Sequence, residues 1–384
     1  MTLNEKEAKV LGIIRENPYI SQKELSEYVE LSRSSVANII SGLVHKGYLV
    51  GRAYVVNDER PIVTIGGANI DRLYVVQDGL IQGTSNQVKS HTFVGGIARN
   101  VGENLGRLEL PVTLVSMVGK DDSGQMIRTQ SKPYMNVENL DETGFCPTGN
   151  FTEIVDIHGN LKLGLAEMDI YDQITPQWLN RYRAIIEKAS CVVVDTNLPK
   201  DTMETLIGMT TRFRVPLVMV TSSLQKMVNI PDCMEGVALL VTKHDEAAFY
   251  LDMEIEDDET LKESIRKWQE LGVEKVLVTQ DNEKIAYSSS LEDEAHIFVN
   301  PDHNKERYAW GAVEALTAGW VYAKYVERTD EEALIYGVVN SFQTSRKIYT
   351  VRQNLSQKVL QREYQDFLKL KGALPKTFEP ILNR

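Results

Sequence analysis

The chain has 384 residues, 42% apolar and 25% charged, which is ordinary for a globular protein with room for two domains. A net charge of −12 argues against nucleic acid binding by the chain as a whole, and the three widely spaced cysteines argue against a disulfide framework or a zinc site. Without a long apolar run or a basic-then-apolar leader at the start, we expect a cytoplasmic protein that does not enter a membrane.

The charge is unevenly distributed along the chain. Residues 1–60 contain eight Lys or Arg and eight Asp or Glu, so the acidic excess lies beyond them. Residues 31–57 contain no acidic residue at all, although Arg33, Lys46 and Arg52 fall within them. Attraction to phosphates dominates affinity for DNA, so the absence of acidic residues here is compatible with DNA binding by the N-terminal part of the chain.

The first thirty residues predict two helices. Residues 4–17 place apolar side chains on one face, and Asn17 followed by Pro18 ends that helix. Ser21 and Glu24 have the spacing of a capping box, which predicts a second, short helix to about residue 30.

A third helix and a strand pair follow. Ser32 caps a helix that runs to about Lys46, and Gly47 ends it. Two strands are predicted at residues 48–50 and 53–56, joined at Gly51 and Arg52. The inward positions of the third helix are apolar: Val36, Ile39, Ile40 and Leu43.

This order, for which we set a domain boundary at residue 57, resembles a winged helix-turn-helix of the bacterial transcription-regulator type. In such domains the third helix enters the major groove and the wing meets the DNA backbone. The resemblance implies a double-stranded DNA operator, and the residues expected to bind it are Arg33, Ser34, Ser35, Asn38, Lys46 and Arg52. The alternative is a small packing or dimerisation domain whose basic residues are only solvated.

After a short charged linker at residues 58–61, short β-rich runs alternate with helical stretches to about residue 367. Strands are predicted at residues 62–65, 112–118, 191–195, 217–220, 238–241 and 276–279. Helices are predicted between them at residues 98–107, 177–188 and 260–271, the last capped by Thr260. The alternation predicts an α/β domain with a doubly wound, largely parallel sheet.

Several glycine motifs follow these strands in a fixed order. Residues 65–71 read IGGANID, residues 93–101 read FVGGIARNV, and residues 118–124 read VGKDDSG. Together they resemble the ribokinase-like (phosphofructokinase B) carbohydrate kinase superfamily, and residues 167–176 with 195–197 look most like its pseudouridine kinase branch. The resemblance covers about residues 62–360 and implies a small β lid, expected from about residue 82 to 93, that often pairs subunits.

The resemblance implies that the sugar side of the site is kept. In the family an Asp after the first strand binds sugar hydroxyls, and Asp71 matches it. The glycine pair that lets the sugar approach the backbone matches Gly95 and Gly96. Asn100 and Asn197 match the amides of the pocket. The alternative is that Asp71 and Asn100 are ordinary turn and cap residues, which both types favour.

The nucleotide side departs from the family. Its Asn-x-x-Glu element keeps Glu246, but lysine replaces the Asn at position 243. A lysine there would oppose a magnesium ion, unless it points to solvent or pairs with Glu246. The family's Thr-x-Gly-x-x-Gly turn keeps Thr279 and loses both glycines, and Asp281 and Glu283 would repel a polyphosphate.

The phosphoryl-transfer motif is also changed. Where the family has Gly-Ala-Gly-Asp before a helix, this chain has Gly311, Ala312, Val313 and Glu314. We expect the valine side chain to fill space that an anion hole leaves open, and Glu314 stands at the base position. A misplacement of ~1 Å can cost about a hundredfold in rate.

A kept sugar half beside an altered phosphate half predicts a regulator whose degenerate kinase domain senses a sugar, nucleoside or phosphorylated sugar, binds DNA as a homodimer and requires no cofactor for sensing. The first alternative is an active kinase for pseudouridine or a related nucleoside that uses ATP and Mg²⁺. A dimerisation scaffold is the second. The six histidines lack metal-ligand spacing, so no metal site is predicted. Residues 368–384 predict an extended C-terminal arm.

Overall fold

A computed structural model describes residues 3–50, 55–56, 60–77, 79–280, 283–290, 294–300, 310–347 and 349–370. By their internal contacts the residues separate into two compact units, Met1–Arg60 and Pro61–Arg384. The predicted roles of Arg52 and Asp281, and most of the predicted C-terminal arm, lie outside the described residues.

The first unit is a winged helix-turn-helix, as predicted. Its helices are α1 (Glu5–Glu16), α2 (Gln22–Tyr28) and α3 (Arg33–His45). Ser21 and Glu24 form the expected capping box, and Ser32 caps α3 by accepting a hydrogen bond from the Ser35 N–H. The wing strands β1 (Leu49–Val50) and β2 (Val55–Val56) pair antiparallel.

The core of this unit is built from one face of each helix. Val10, Ile14, Leu25, Val36 and Leu43 are buried together there. Ile39, predicted to point inward, is only partly buried and packs at the edge of this cluster. Burial of these faces accounts for most of the stability of helices this short, because isolated helices shorter than about 12–15 residues are marginal in water.

The second unit is built on a mixed sheet that has nine strands within the described residues. Their order is β15-β14-β13-β12-β11-β10-β3-β6-β7, and β14 and β15 alone run antiparallel to their neighbours. The bounds are β3 (Ile62–Ile65), β6 (Val112–Gly119), β7 (Leu140–Thr143), β10 (Cys191–Asp195), β11 (Leu217–Val220), β12 (Leu239–Lys243), β13 (Lys275–Gln280), β14 (Lys284–Ser288) and β15 (His296–Val299). The predicted doubly wound sheet is therefore confirmed.

Helices cover both faces of this sheet. Along β10, Val193 faces one apolar cluster while Val192 and Val194 face the other, as the two-residue period of a strand requires. The helices are α4 (Ile97–Arg107), α5 (Asp122–Ser131), α6 (Pro176–Asn180), α7 (Arg183–Lys188), α8 (Lys200–Phe213), α9 (His244–Leu251), α10 (Asp258–Glu270), α11 (Ala312–Tyr325), α12 (Asp330–Thr344) and α13 (Gln357–Leu368), with 3-10 turns at Asp169–Gln173 and Leu224–Asn229.

Two helix predictions need correction. The helix expected over residues 177–188 is two short helices, α6 and α7. The cap of α10 is Asp257, which accepts from the Thr260 N–H at 2.8 Å; Thr260 is already inside the helix. Asp and Thr are both favourable N-cap residues, so the sequence pattern does not show which of the two is the N-cap.

A second sheet forms the lid and is larger than predicted. Its strands are β4 (Asn69–Val76), β5 (Val88–Gly95), β8 (Asn150–Val155) and β9 (Leu161–Glu167), in the order β5-β4-β8-β9. The prediction placed the lid over residues 82–93, a range that includes only β5. It missed β4, which comes before this range, and β8 and β9, which come from a distant part of the chain. In the described part of the chain no helix is long and apolar enough to cross a membrane.

Candidate functional site

The predicted site residues lie at the carboxyl ends of the parallel strands. β3 is followed along the chain by strands on one side, β6 and β7, and the later strands β10 to β13 lie on its other side. Ligands bind open α/β sheets at such a switch point. The loop after β3 and the end of β10 meet there, and the lid strand β4 begins beside them.

Asp195, at the end of β10, holds this region together, and the sequence analysis did not select it. Oδ2 accepts hydrogen bonds from the N–H groups of Gly67 at 2.7 Å and Ala98 at 3.0 Å. Oδ1 accepts from the backbone and side-chain amides of Asn197 at 3.0 and 2.8 Å. Burial raises the pKa of Asp195 and these donors oppose the rise. A carboxylate that ends a buried strand was the signal in the sequence.

Asn197 also has a contact within the protein. It is 8% exposed, and its side-chain amide is bound to Asp195. The contact makes Asn197 part of the support of the loop after β3. Its predicted contact with a ligand remains a prediction.

Asp71 lies within strand β4, so it is not the turn residue of the alternative interpretation. One oxygen accepts from the Asn69 amide at 2.6 Å. Burial raises the pKa of Asp71 to about 7, and the charge of Glu314 adds to the rise while the Asn69 bond opposes it. A Cβ at Gly95 would lie 1.9 Å from Oδ2 of Asp71, so this position needs glycine.

Asn100 joins the sugar side of the site to the transfer side. It lies inside α4, whose N-cap is Gly96 with φ of 94°, so Asn100 is not a cap either. Its Nδ2 donates to Oε1 of Glu314 at 3.2 Å. Asp71, Gly95, Asn100 and Glu314 are thereby brought to one place from four separate elements.

Glu314 lies in the first turn of α11. Burial raises the pKa of its carboxyl, and its own backbone N–H, the Asn100 amide and the Lys243 ammonium oppose the rise. The carboxylate is thus held at the N-terminus of α11. It accepts a hydrogen bond from the Glu314 N–H, one of the backbone donors that an anion hole would offer. A negative charge there competes with a phosphoryl group for the same donors.

The steric expectation for Val313 is wrong. The residue is 9% exposed and belongs to the apolar core cluster, so its bulk is taken up by core packing. Neither substitution changes the formal charge of the motif, since Glu314 replaces an Asp, but the carboxyl of Glu314 stands one methylene further from the backbone.

Gly311 is the N-cap of α11 and has a left-handed backbone, with φ of 71°. A Cβ there would lie 1.8 Å from the carbonyl oxygen of Thr350. Gly311 therefore fixes the start of α11 against the segment after α12, and Ala312, the first helical residue, is buried behind it.

The nucleotide side contains a lysine among carboxylates. The Lys243 ammonium, 50% exposed, lies 3.9 Å from Oε1 of Glu246. Burial raises the pKa of Glu153, Glu246 and Glu314, and the charge of Lys243 opposes the rise in all three. Glu153 belongs to lid strand β8 and was not selected from the sequence, which gives no sign that the lid comes so close.

These residues do not fit a magnesium-bound triphosphate. Glu246 is 2% exposed, and its Oε2 accepts a short hydrogen bond from the Thr221 hydroxyl and one from the Lys243 N–H at 3.4 Å. Its other oxygen faces the ammonium, which would repel a divalent cation. Thr279, in β13, donates only weakly to the Thr242 carbonyl at 3.5 Å.

On the first unit, α3 exposes Arg33, Ser34 and Asn38, while Ser35 is partly buried. The hydroxyls of Ser34 and Ser35 lie 2.9 and 2.8 Å from that of Ser32. Arg33, Ser34 and Asn38 are thus exposed on the first part of the third helix, as the DNA-binding prediction requires.

Lys46 has another partner. Its ammonium donates to both oxygens of Glu7 in α1, each at 2.8 Å. The pair is mostly buried and ties the end of α3 to the first helix. Contact of Lys46 with DNA remains a prediction, and its observed contact is structural.

Two family models match the chain. Residues 60–341 match the pfkB family of carbohydrate kinases, and residues 3–50 match a winged helix-turn-helix DNA-binding domain. The first match covers well over half of the chain.

Curated relatives and solved structures agree with these matches. The chain is 26% identical to the uncharacterized sugar kinase YeiI of Escherichia coli, over 84% of this chain and 88% of that protein. It is 24% identical to the pseudouridine kinase of the same organism, over 59% of this chain and 72% of that protein. A ribokinase from Arabidopsis thaliana, solved with ribose and ATP, superposes with a TM-score of 0.69 at 16% identity, over 80% of this chain and 99% of that one.

Proposed function

The chain belongs to the pfkB family of carbohydrate kinases, and from that membership we propose that it is a transcriptional regulator whose kinase-family domain senses a ligand without phosphorylating it. The winged helix-turn-helix binds operator DNA. The second unit binds a sugar, a nucleoside or a phosphorylated sugar, and this binding controls the first unit.

The observation that carries this proposal is the placement of Lys243. Its charge acts on Glu153, Glu246 and Glu314 together, at the position where the family organises a metal and the phosphates. The single positive charge of Lys243 offsets only part of the charge of these three carboxylates, but it lies 3.9 Å from Glu246, where it opposes a Mg²⁺ ion. A cleft that disfavours the metal suits binding better than transfer.

The ligand side supports a polyhydroxyl ligand. Asp71 can accept two hydroxyl hydrogen bonds, Gly95 leaves the backbone beside it bare, and Asn100 offers an amide. Glu314 is already held by Asn100, so a ligand hydroxyl that reaches this carboxylate meets an ordered acceptor.

The lid supports regulation through a second copy of the chain. Leu163 and Leu165 of β9 are 46% and 52% exposed on one face of the lid, and Ile154 of β8 shares that face. Asp71 and Glu153 occupy the opposite face. We propose that two lids pair through the apolar face, so that a ligand that prefers the closed lid changes the dimer and its DNA-binding heads.

A phosphotransfer assay tests the proposal. The full chain, incubated with ATP, Mg²⁺ and a panel of nucleosides and sugars, should form no phosphorylated product. A variant that restores the family residues at the two altered positions beside the predicted transfer site, Lys243→Asn with Glu314→Asp, should gain measurable transfer. Turnover by the natural chain that is lost in Glu314→Ala would overturn the sensing proposal.

The second candidate is an active nucleoside kinase with a DNA-binding appendage. It is favoured by the similarity to a pseudouridine kinase and a sugar kinase and by the convergence of Asp71, Asn100 and Glu314. In that case Glu314, with its raised pKa, takes the proton of the attacking hydroxyl. The same assay separates the two candidates.

A further inference from the structure

A second cavity, of about 280 Å³, lies at the base of the lid in the second unit. One wall is lid strand β5, with Thr92 and Phe93. The other walls are α4, Tyr134 and residues 349–353. Phe93 and Tyr349 meet edge to face across it, with ring centroids 5.9 Å apart, so the cavity bridges the lid and the body.

The charged side chains in this cavity carry a net positive charge. Arg99, 3% exposed, and Arg107 both pair with the same carboxylate, Glu103, which is 5% exposed. Arg107 also lies over the Tyr134 ring, with its guanidinium carbon 4.3 Å from the centroid. The other carboxylate whose charge acts on Arg99 is Asp71, on the sugar side. Most N–H groups of Arg107 are already bound, to Glu103 and to the carbonyl and side chain of Gln353. It is therefore the charge of two arginines against one local carboxylate that favours an added anion.

The walls of this cavity touch the sugar and transfer sites. Arg99 Nη1 donates to Oδ1 of Asn100 at 3.0 Å, which leaves Nδ2 of that amide to Glu314. On the other side, Thr350 lines the cavity and its carbonyl lies against Gly311 at the start of α11. A molecule in the cavity would therefore press on Asn100, which binds Glu314, and on Gly311, which begins the helix of Glu314.

We propose that this cavity is a second ligand site, for a small phosphate ester, and that it sets the position of the lid and of Asn100. The phosphate lies on the cavity side of Arg107, because Glu103 already occupies the space between Arg107 and Arg99. The rest of the molecule lies against Phe93, Tyr134 and Tyr349. The proposal stands on this cavity alone and does not depend on whether the chain transfers phosphate. Since coupling between two sites is reciprocal, occupancy here changes affinity at Asp71 by the factor by which a ligand at Asp71 changes affinity here.

The test is calorimetric titration of the full chain with two probes, inorganic phosphate and ribose 5-phosphate. The matched variants are Thr92→Asp and Thr92→Asn, because Thr92 is exposed at the cavity mouth and neither change disturbs the core. The natural chain should bind ribose 5-phosphate, and Thr92→Asp should weaken binding at least about tenfold by placing a negative charge beside the phosphate. Thr92→Asn, with similar size and no charge, should stay within about twofold.

Two further variants locate the probe. Arg107→Met should abolish binding, while Lys243→Met, which alters the cleft beside Glu314, should keep it. Equal affinities for Thr92→Asp and Thr92→Asn, loss of binding only in Lys243→Met, or no heat from either probe with the natural chain would each overturn the second site. None of these results bears on the phosphotransfer assay, so the two proposals fail separately.

Discussion

The side-chain amide of Asn100 donates a hydrogen bond to the carboxylate of Glu314 over 3.2 Å, although the two residues are 214 positions apart in the chain. Asn100 is a residue of the sugar side, and Glu314 occupies the position of the family's catalytic base. The bond makes them one unit: a ligand that takes the Asn100 amide releases Glu314. Under either proposed function, the ligand and the predicted base position would share this pair of groups.

Asp71→Asn should abolish ligand binding and stabilise the protein at neutral and alkaline pH. The pKa of Asp71 is raised to about 7 in the folded protein, above its ordinary value of 3.8. A raised carboxyl pKa means that folding favours the protonated form, so stability falls as the pH rises from about 4 through about 7. The amide removes this cost, which is at most about 4 kcal/mol for a shift from 3.8 to about 7.

Thermal unfolding on both sides of pH 7, with and without a sugar and nucleoside panel, measures both effects. For the natural chain, ligand affinity should rise with pH through about 7, because the ionised Asp71 accepts two hydroxyl bonds. A variant that binds a ligand as well as the natural chain would remove Asp71 from the site. If no panel member binds the natural chain, the second unit acts only as a scaffold.

Gly311→Ala should destabilise the second unit by at least ~2 kcal/mol, because alanine disfavours a positive φ and its Cβ would overlap the Thr350 carbonyl. Gly208→Ala is the matched control. Gly208 is exposed within α8, and nothing lies within 4 Å of its added Cβ, so this change should stabilise by ~0.5–1 kcal/mol. Urea unfolding followed by tryptophan fluorescence measures both, and equal effects of the two substitutions would contradict the described start of α11.

Glu7→Gln should lower the free energy of unfolding of the winged helix-turn-helix by about 1–2 kcal/mol, because it breaks the ion pair with Lys46. The hydrogen bond from Lys46 lowers the pKa of Glu7 below its ordinary value of 4.5. The contribution is therefore complete above pH 4.5 and is lost as the pH falls through the lower, folded pKa.

Hydrogen exchange of peptides from residues 3–50, in the full chain, isolates this effect. At neutral pH these peptides should exchange faster in Glu7→Gln than in the natural chain, and the difference between the two proteins should become smaller as the pH is lowered. Glu27→Gln, an exposed change in α2, should exchange like the natural chain. Identical protection in all three proteins would show that the ion pair contributes nothing.

Arg33→Ala should weaken binding to the promoter of the protein's own gene about tenfold and reduce the salt dependence by about one phosphate contact. Arg33 is the first residue of α3 and is fully available there. Lys9→Ala removes an exposed charge from α1 and serves as the comparison. Electrophoretic mobility shifts at several salt concentrations measure the affinity of each protein for the promoter DNA. If Arg33→Ala binds as tightly as the natural chain, the DNA-binding surface lies elsewhere.

Short-range signals predicted the elements well. The capping box of Ser21 and Glu24, the strand at residues 191–195 and the apolar face of α3 depend on neighbours in sequence, and each is observed. The predicted N-cap of α10 was wrong because Asp257 and Thr260 each accept a hydrogen bond from the other's backbone N–H. The sequence alone does not show which of the two begins the helix.

The sequence by itself determined the two-part architecture, the glycine positions and the side chains available to each half of the site, because strand period, helix caps and motif order are local properties. Tertiary structure alone decided that Val313 packs into the core, that Lys46 is tied to Glu7, and that the Lys243 charge reaches carboxylates from three elements. The reason is that burial and electrostatic interaction depend on distance in space, and distance between residues from different elements is fixed only once the sheet, the lid and the helices are packed.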